Sequence, residues 1–200
     1  MSSVDSNTPL DFVGRIDGTR HVVMFHEDEE YAMKIRLRFL QRGISGDQTC
    51  VYVTPSDPAN VEDRMRESGI DVERAKKNGL LRIVHSGEDY TRAEDVRKRE
   101  DLIDEILEGS SPKRVVLDEA PSMGEAGIRR VLDLERYAHT VMMSNHHEGP
   151  EFSDRLLLCS YSVRSIKPAL HAAWMSDLLK LHDSVLFAPE SSEGIGFVMR

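Results

Sequence analysis

Cysteine is scarce in this sequence, and so are long hydrophobic runs. Cys50 and Cys159 are the only cysteines among 200 residues, too few for a disulfide framework or a cysteine-rich zinc site. No apolar stretch approaches the ~20 residues that a membrane-spanning helix needs, and the N-terminus lacks the basic start and apolar core of a signal peptide. We therefore expect a reduced, cytoplasmic protein without a membrane partner.

Positive charge is also in the minority. Lysine and arginine total 26 against 35 aspartates and glutamates, which gives a formal net charge of −9. Nucleic acids and anionic lipids bind basic surfaces, so neither is expected as a direct partner. A composition with 40% hydrophobic and 30% charged residues is typical of a globular chain.

Apolar strands alternate with amphipathic helices along most of the chain. Strands are predicted at 21–25, 50–53, 80–85, 114–118, 155–161 and 184–187, and helices at 28–42, 58–68, 71–77, 92–108, 125–143 and 169–181. Strands that are apolar throughout indicate a parallel sheet covered on both faces. The predicted fold class is α/β, with three layers around a mostly parallel, doubly wound sheet.

The same pattern divides the chain into one domain and two ends. Residues 20–190 form the single domain, because the regular alternation leaves no room for a second. Residues 1–19 are polar, show little periodicity and are predicted to be a flexible lead-in. Residues 191–200 form a tail that can add a short edge strand.

Candidate functional residues follow from the rule that ligands bind open parallel sheets outside the carboxyl ends of the strands. The loops after the first five strands supply the candidate ligand-binding residues His26, Glu27, Glu30, Thr54, Asp57, His85, Tyr90, Asp118, Glu119, Tyr161 and Ser162. His21, Cys50 and Cys159 lie inside strands and are expected to support the core. No catalytic residue and no metal ligand is assigned.

The loop after the first strand lacks the residues that bind phosphate. A phosphate-binding loop needs glycines, whose backbone N–H groups wrap the phosphates, and a lysine that balances charge. Here the strand runs into HEDEEY, in which the acidic residues 27–30 open a helix. Carboxylates at this place stabilise the helix dipole, but they repel a polyphosphate unless a divalent cation lies between them.

A second motif, RVVLDEAPS, ends an apolar strand in Asp118-Glu119. In nucleotide hydrolases an aspartate at this place reaches a Mg²⁺ shell and the glutamate polarises water. Many parallel strands end in an acidic residue, so a structural or ligand-contact role is favoured here. His26 and His85 could join Asp118 in a three-ligand metal site, although their spacing does not require it.

The stretch YVTPSDPANVEDRMRESGIDVERAKKNGLLRIVH, followed by RVVLDEAPS, resembles a segment of the circadian ATPase KaiC and its RecA-like relatives. There a strand, a helix, a GID turn, a short helix and a GLLRI strand follow one another before the Walker B strand. Two features differ: HEDEEY replaces the phosphate loop, and residues 55–57 replace the catalytic glutamate pair. The resemblance implies a RecA/KaiC-like topology without the phosphate loop.

Relatives with these differences form the MEDS family, a sensory domain named from methanogens, methylotrophs and the dichloromethane-responsive regulator DcmR. The sequence resembles this family in His21, in Phe25 with the acids after it, in GISGDQTCVYV, in Tyr90, and in LERYAH, LLCSYSV and LHDSVLF. The resemblance spans roughly residues 20–188. It implies a domain that senses small molecules, hydrocarbon derivatives among them, and that often accompanies DNA-binding or kinase modules.

The leading hypothesis is a non-hydrolytic sensor that binds a small ligand at the carboxyl ends of its strands, needs no cofactor and signals by a change of shape. Its expected partners are the small molecule, a separate regulator or kinase protein, and a second copy of the chain. Two alternatives stay open. One is a divalent-metal hydrolase or NTPase that uses Asp118-Glu119, disfavoured because the phosphate loop and glutamate pair are missing. The other is a ligand-free interaction module whose charged helix, 92–108, faces a partner.

Overall fold

The structure, a computed structural model, describes residues 8–87, 93–108, 111–119, 125–144, 154–165, 171–189 and 197–199. Within these ranges the strands are β1 (Arg20–His26), β2 (Thr49–Thr54), β3 (Leu81–His85), β4 (Lys113–Glu119), β5 (Arg155–Ser162), β6 (Ser184–Ala188) and β7 (Phe197–Met199). The helices are α1 (Pro9–Arg15), α2 (Glu29–Ile44), α3 (Pro58–Glu67), α4 (Val72–Lys77), α5 (Ala93–Leu107), α6 (Glu125–Ser144) and α7 (His171–Lys180).

All described strands belong to one sheet, in the order β3-β2-β4-β5-β1-β6-β7. Neighbours among the first six strands are parallel, and β7 runs antiparallel to β6 at the edge. The predicted α/β class and the mostly parallel, doubly wound sheet are therefore confirmed. The order also makes β4, β5 and β1 neighbours, so that their carboxyl ends lie side by side.

Helices cover both faces of the sheet and give the three predicted layers. On one side, called the α2 face, Met24, Tyr52 and Leu158 pack in a core with residues of α1–α4. On the other side, called the α6 face, Val23 and Val53 pack in a core with residues of α5–α7. Successive strand residues enter opposite cores, which explains why these strands are apolar throughout.

Residues 9–15 form a helix where the sequence predicts a flexible lead-in. Thr8 caps α1, and Phe12 and Val13 are buried in the core of the α2 face. The guanidinium of Arg114 donates to backbone carbonyls at the end of α1, including that of Val13 at 3.3 Å. Two helical turns are too short to show periodicity, and the arginine that fixes them lies about a hundred residues further along the chain.

Aspartates begin three of the helices. Asp28, Asp57 and Asp71 cap α2, α3 and α4, each accepting a backbone N–H of the first turn at 2.9–3.1 Å. The sequence predicts the Asp57-Pro58 start of α3 and the acidic start of α2. Among the described residues, no helix is both long and apolar enough to cross a membrane.

Candidate functional site

The connection between β1 and α2, where a phosphate loop would lie, consists of Glu27 and Asp28. Glu27 continues the strand by donating its N–H to the Ala188 carbonyl at 2.9 Å. Asp28 caps α2 by accepting the Tyr31 N–H at 3.1 Å. Two residues are too few to wrap a phosphate chain with backbone N–H groups, and both carry carboxylates. This turn therefore begins a helix and offers no cradle for a phosphate.

Arg36 of α2 lies beneath the carboxyl ends of the strands and binds Asp118. Its side chain is completely buried, and its guanidinium forms ion pairs with Asp118 of β4 and Glu29 of α2. It also donates to the Ser160 hydroxyl of β5 at 3.3 Å. Tyr52 donates its hydroxyl to the second carboxylate oxygen of Asp118 at 2.9 Å. Both oxygens of Asp118 are thus engaged by side chains of this chain.

The charge of Arg36 is stabilised by these partners. Burial alone lowers the pKa of a guanidinium, but Tyr52, Asp118 and Glu29 hold the pKa of Arg36 above its ordinary value. A buried cation of this kind is tolerated because it is paired and hydrogen-bonded. The guanidinium therefore supplies, beside the β4 aspartate, the positive charge that Mg²⁺ supplies in a nucleotide hydrolase.

His26, the last residue of β1, lies next to this network. It is 4% exposed, and its Nδ1 lies 3.4 Å from a carboxylate oxygen of Glu29. Burial, together with the positive charge of Arg36, lowers the pKa of His26 to about 4, so that its ring is neutral at neutral pH. In the described part of the chain, no hydrogen-bond partner meets Nδ1 of His26 or Nε of Arg36.

Four further residues predicted to bind a ligand make contacts with neighbouring parts of the chain. The hydroxyl of Thr54 accepts a backbone N–H two residues further on at 3.1 Å, and Asp57 caps α3. Nε2 of His85 lies 2.9 Å from the carbonyl oxygen of Pro55, and Glu30 forms an exposed ion pair with an arginine of α3. These contacts need no ligand to explain them.

The remaining predicted residues are Glu27, Ser162, Glu119 and Tyr90. Glu27 follows β1, and Ser162 pairs in register with His26 at the end of β5. Glu119 ends β4, with its side chain outside the described part, and Tyr90 lies outside the described residues.

The alternative metal site of His26, His85 and Asp118 is not assembled. His85 is on β3 and His26 is on β1, and three strands lie between β3 and β1. At about 4.8 Å per strand, the two backbones are roughly 19 Å apart. That distance is too large for the two rings to share one ion, whose bonds to nitrogen are about 2 Å long.

Tyr161 faces the opposite side of the sheet from Asp118. Its hydroxyl donates to Oε1 of Glu135 on α6, and its ring packs edge-on against Trp174 at a centroid distance of 5.8 Å. Next to it a partly open cavity of about 20 Å³ lies between α5, α6 and the sheet. Its lining is mostly apolar, with three polar members, and consists of Val53, Arg99, Leu102, Ile103, Ile106, Leu117, Val131, Leu134, Glu135 and Tyr161.

The cavity lies at the carboxyl half of the strands. Val53, Leu117 and Tyr161 are all within two residues of the ends of their strands. Arg99 of α5 is 6% exposed, and burial lowers its pKa to about 10, which leaves the guanidinium charged at neutral pH. A space of this size holds about one water molecule. Apolar walls with a few fixed polar groups are typical of small-molecule sites.

A second group of polar side chains is buried on the α6 face. His21 of β1, Glu135 of α6, Cys159 of β5 and His182, which follows α7, each bring one potential ligand atom within 4.8 Å of the others. Oε2 of Glu135 lies 3.1 Å from Nε2 of His21, 3.4 Å from Nε2 of His182 and 3.3 Å from Sγ of Cys159. Among the described residues this is the only group of its kind close enough to hold a metal ion.

The charges in this group favour an ionised carboxylate. Burial on its own raises the pKa of Glu135, but His182 and His21 hold that pKa well below its ordinary value. Burial, followed by the proximity of His182, lowers the pKa of His21. A carboxylate that is 4% exposed thus lies among nitrogen and sulfur atoms with little access to water.

Sequence reasoning missed two charged residues that organise these sites. Arg36 has Ala32 and Leu40 one turn away on either side, both buried, so it lies on the buried stripe of α2. Glu135 is likewise one turn from Val131 and close to Ala138 on the buried side of α6. The available signal was a charged residue on an otherwise apolar helix stripe. Such a residue is buried with the stripe, and because a buried charge needs a partner, it indicates an ion pair.

The chain is similar to a described family over most of its length. The family model of MEDS, the methanogen/methylotroph, DcmR sensory domain, matches residues 20–183. A comparison with curated proteins finds no match. Among solved structures, a KaiC-like protein from the hyperthermophilic archaeon Pyrococcus horikoshii OT3 is similar, with 17% identity and a TM-score of 0.56 over 91% of this chain and 78% of that chain. This likeness confirms the RecA/KaiC-like fold.

Proposed function

Because the chain belongs to the MEDS family of sensory domains, we propose that it binds a small, mainly apolar molecule between α5, α6 and the sheet and does not hydrolyse nucleotides. The observation that carries the proposal is the mostly apolar cavity at the carboxyl half of the strands. Its position agrees with the general rule for ligands of open parallel sheets.

The residues around Asp118, at the carboxyl ends of the strands, support the non-hydrolytic part of the proposal. The two-residue turn before α2 gives a phosphate chain no cradle, and Arg36 and Tyr52 engage both oxygens of Asp118. Displacing Arg36 to admit Mg²⁺ would leave a buried guanidinium without its partner, which costs several kcal/mol. Nucleotide chemistry at this edge is therefore disfavoured on energetic grounds.

The lining of the cavity suggests the chemistry of the ligand. Side chains such as Ile103 and Leu117 offer apolar contacts, whereas Arg99 and Tyr161 offer polar ones. A molecule of a few carbon atoms with one polar or polarisable group, such as a halogenated methane or a short alcohol, matches this mixture. Of the ligand-binding residues predicted from the sequence, Tyr161 is the one that we propose contacts it.

The size of the cavity suggests how binding produces a signal. The space holds about one water molecule, so a larger guest must move α5 away from α6 or from the sheet. A ligand that binds only the opened arrangement shifts the population toward it. We propose that a regulator or kinase protein, or a second copy of the chain, reads this shift in the cytoplasm.

A thermal-shift titration tests the proposal. The chain is heated with dichloromethane, with alcohols and aldehydes of one to four carbons, and with ATP with and without Mg²⁺ as matched control ligands. A specific ligand at a hundred times its dissociation constant adds about 2.7 kcal/mol, which raises the midpoint by several degrees. We expect a saturable rise with at least one small organic compound and none with either nucleotide sample. A rise that requires Mg²⁺ and ATP together would contradict the proposal.

A further inference from the structure

We propose that His21, Glu135, Cys159 and His182 form a closed, four-coordinate site for a divalent transition metal of the zinc type. The four residues come from β1, α6, β5 and the turn between α7 and β6, so that one ion would join the sheet to two helical segments. This site shares Glu135 with the lining of the proposed ligand cavity, but its test does not depend on any small organic ligand.

The spacing of the donor atoms fits a tetrahedral ion. With bonds of about 2.0–2.1 Å to nitrogen and oxygen and about 2.3 Å to sulfur, neighbouring donors of a tetrahedral zinc site lie about 3.4 Å apart. Here Oε2 of Glu135 lies 3.1, 3.4 and 3.3 Å from its three neighbours, and Nε2 of His21 lies 3.3 Å from Sγ of Cys159. Small side-chain movements bring all four donors to a common centre.

The hydrogen bonds of the two histidines direct their Nε2 atoms toward the carboxylate. Nδ1 of His21 lies 3.1 Å from the Leu181 carbonyl, and Nδ1 of His182 lies 2.7 Å from the Leu178 carbonyl. A carbonyl oxygen can only accept, so each Nδ1 carries the proton and a neutral ring presents a lone pair at Nε2. This is the usual way in which proteins fix the tautomer of a metal-binding histidine.

Without a cation, this arrangement is unfavourable for the buried groups. Neutral rings place two lone pairs against a carboxylate oxygen, whereas protonated rings place two imidazolium cations 3.9 Å apart between centroids in a buried site. In the described part of the chain, Nε2 of His182 has no hydrogen-bond partner. One divalent ion satisfies both rings, the carboxylate and the sulfur together.

The surroundings of the carboxylate complete the site. Tyr161 donates its hydroxyl to Oε1 of Glu135, which leaves Oε2 for the ion. The His21, Glu135 and Cys159 residues are at most 4% exposed, and the His182 side chain has no exposed surface. A donor set of two nitrogens, one sulfur and one oxygen suits Zn²⁺ or Co²⁺ and does not suit Mg²⁺ or Ca²⁺, which prefer oxygen. Binding replaces the proton of the Cys159 thiol, which leaves to the solvent.

Cobalt spectroscopy of the untagged full chain tests this site. The chain is stripped with a chelator and titrated with Co²⁺, and we expect saturation at one ion per chain. Tetrahedral Co²⁺ gives strong visible absorption, and a thiolate ligand adds a charge-transfer band in the near ultraviolet. Added Zn²⁺ should displace Co²⁺ and remove both absorption bands. At a hundred times its dissociation constant, Zn²⁺ should also raise the thermal midpoint of the stripped chain by about 5–10 °C.

Two cysteine variants provide a matched pair. Cys159→Ser should lose the charge-transfer band, whereas Cys50→Ser should keep it, because Cys50 is equally buried but lies on the α2 face.

His182→Gln should weaken Co²⁺ binding at least tenfold. Circular dichroism of the stripped variants shows whether each one folds. Should Cys159→Ser not fold, X-ray absorption of the zinc-loaded wild type decides, because it should show one sulfur at about 2.3 Å.

Three results would overturn the proposal. They are no saturable binding of Co²⁺ or Zn²⁺ to the stripped chain, the weak spectrum of six-coordinate Co²⁺, and a zinc shell that contains no sulfur. A failure of the organic-ligand titration would leave the metal site standing. Conversely, absence of metal binding would leave the proposed sensing function standing, since the cavity shares only Glu135 with this site.

Discussion

Arg36 and Asp118, 82 residues apart in the sequence, form an ion pair beneath the carboxyl ends of the central strands. Arg36 is completely buried, and Tyr52 engages the second oxygen of the same carboxylate at 2.9 Å. The aspartate that would bind a metal in a nucleotide hydrolase is therefore held by a side chain of its own domain. This pair links helix α2 to the carboxyl end of β4 through buried side chains.

Replacing Asp118 should destabilise the fold. Asp118→Asn removes the buried counter-charge of Arg36 and leaves its guanidinium paired with Glu29, whose side chain is 59% exposed, so we expect the free energy of unfolding to fall by about 3 kcal/mol. Arg36→Met combined with Asp118→Leu should recover much of that loss, because both charges of the pair are removed and the remaining Glu29 side chain is 59% exposed. Urea denaturation measures the free energy of unfolding of the single and the double variant. Asp133→Asn breaks an exposed ion pair on α6 and serves as the control, with an expected change below about 1 kcal/mol. Equal losses for Asp118→Asn and the control would contradict the structural role of the pair.

Filling the cavity should affect stability and ligand response in opposite directions. Val53→Ile adds one methylene group to the lining, and we expect an unchanged or slightly higher stability, by up to about 0.8 kcal/mol, together with loss of the ligand-induced thermal shift. Val51→Ile is the matched control, because Val51 lies on the same strand and face but outside the cavity. There the extra methylene has no space, and a loss of about 1–3 kcal/mol is expected. An equal loss of stability in both variants would show that the cavity has no room for a guest.

The burial of His26 should make the stability of the protein depend on pH. Its pKa is about 4 in the folded chain and should return toward the ordinary 6.5 on unfolding. The unfolded chain therefore binds the proton more readily, and stability is lost as the pH falls from about 6.5 to about 4. The full effect of this residue is about 3 kcal/mol. His26→Gln should flatten the profile of unfolding free energy across that interval. Parallel profiles for wild type and variant would contradict the assigned environment.

The first helix should contribute to stability although the sequence predicts a flexible lead-in. Phe12→Ala removes a ring that is 7% exposed and should lower the free energy of unfolding by about 3 kcal/mol. Arg15→Ala changes an exposed residue of the same helix and should alter it by less than about 1 kcal/mol. Chemical denaturation distinguishes the two. A small effect of both variants would restore the prediction of a loosely attached segment.

The sequence was a good guide to the fold because the signals of the fold are local. The apolar strand HVVMF and the Asp57-Pro58 helix start depend on a few neighbouring residues, and β1 and α3 begin within one residue of the predicted positions. The RecA/KaiC-like topology was implied by the resemblance to KaiC and its relatives, which rests on the order and spacing of such elements. Helix α1 was missed because its short length shows no period and its burial depends on Arg114, far along the chain.

The candidate sites were less predictable because their contacts are distant in sequence. The rule that ligands bind at the carboxyl ends of the strands predicted Asp118 and His26. It could not predict Arg36, because Arg36 pairs with Asp118 from helix α2. His21 and Cys159 are 138 residues apart and were expected only to support the core. Neither has a local motif, and Glu135 joins them only when α6 packs on the sheet. Charged residues on apolar helix stripes would have been the most useful additional signal.

Methyl NMR of the chain during titration with dichloromethane tests the central claim most directly. The methyl groups of Ile103 and Leu117 line the cavity, whereas those of Leu40 and Val116 lie in the core of the α2 face and serve as internal references. We expect saturable shifts at the cavity methyls and unchanged references, with no response of either set to ATP and Mg²⁺. Shifts confined to the α2 face, or a response near Asp118 to ATP and Mg²⁺, would contradict the account.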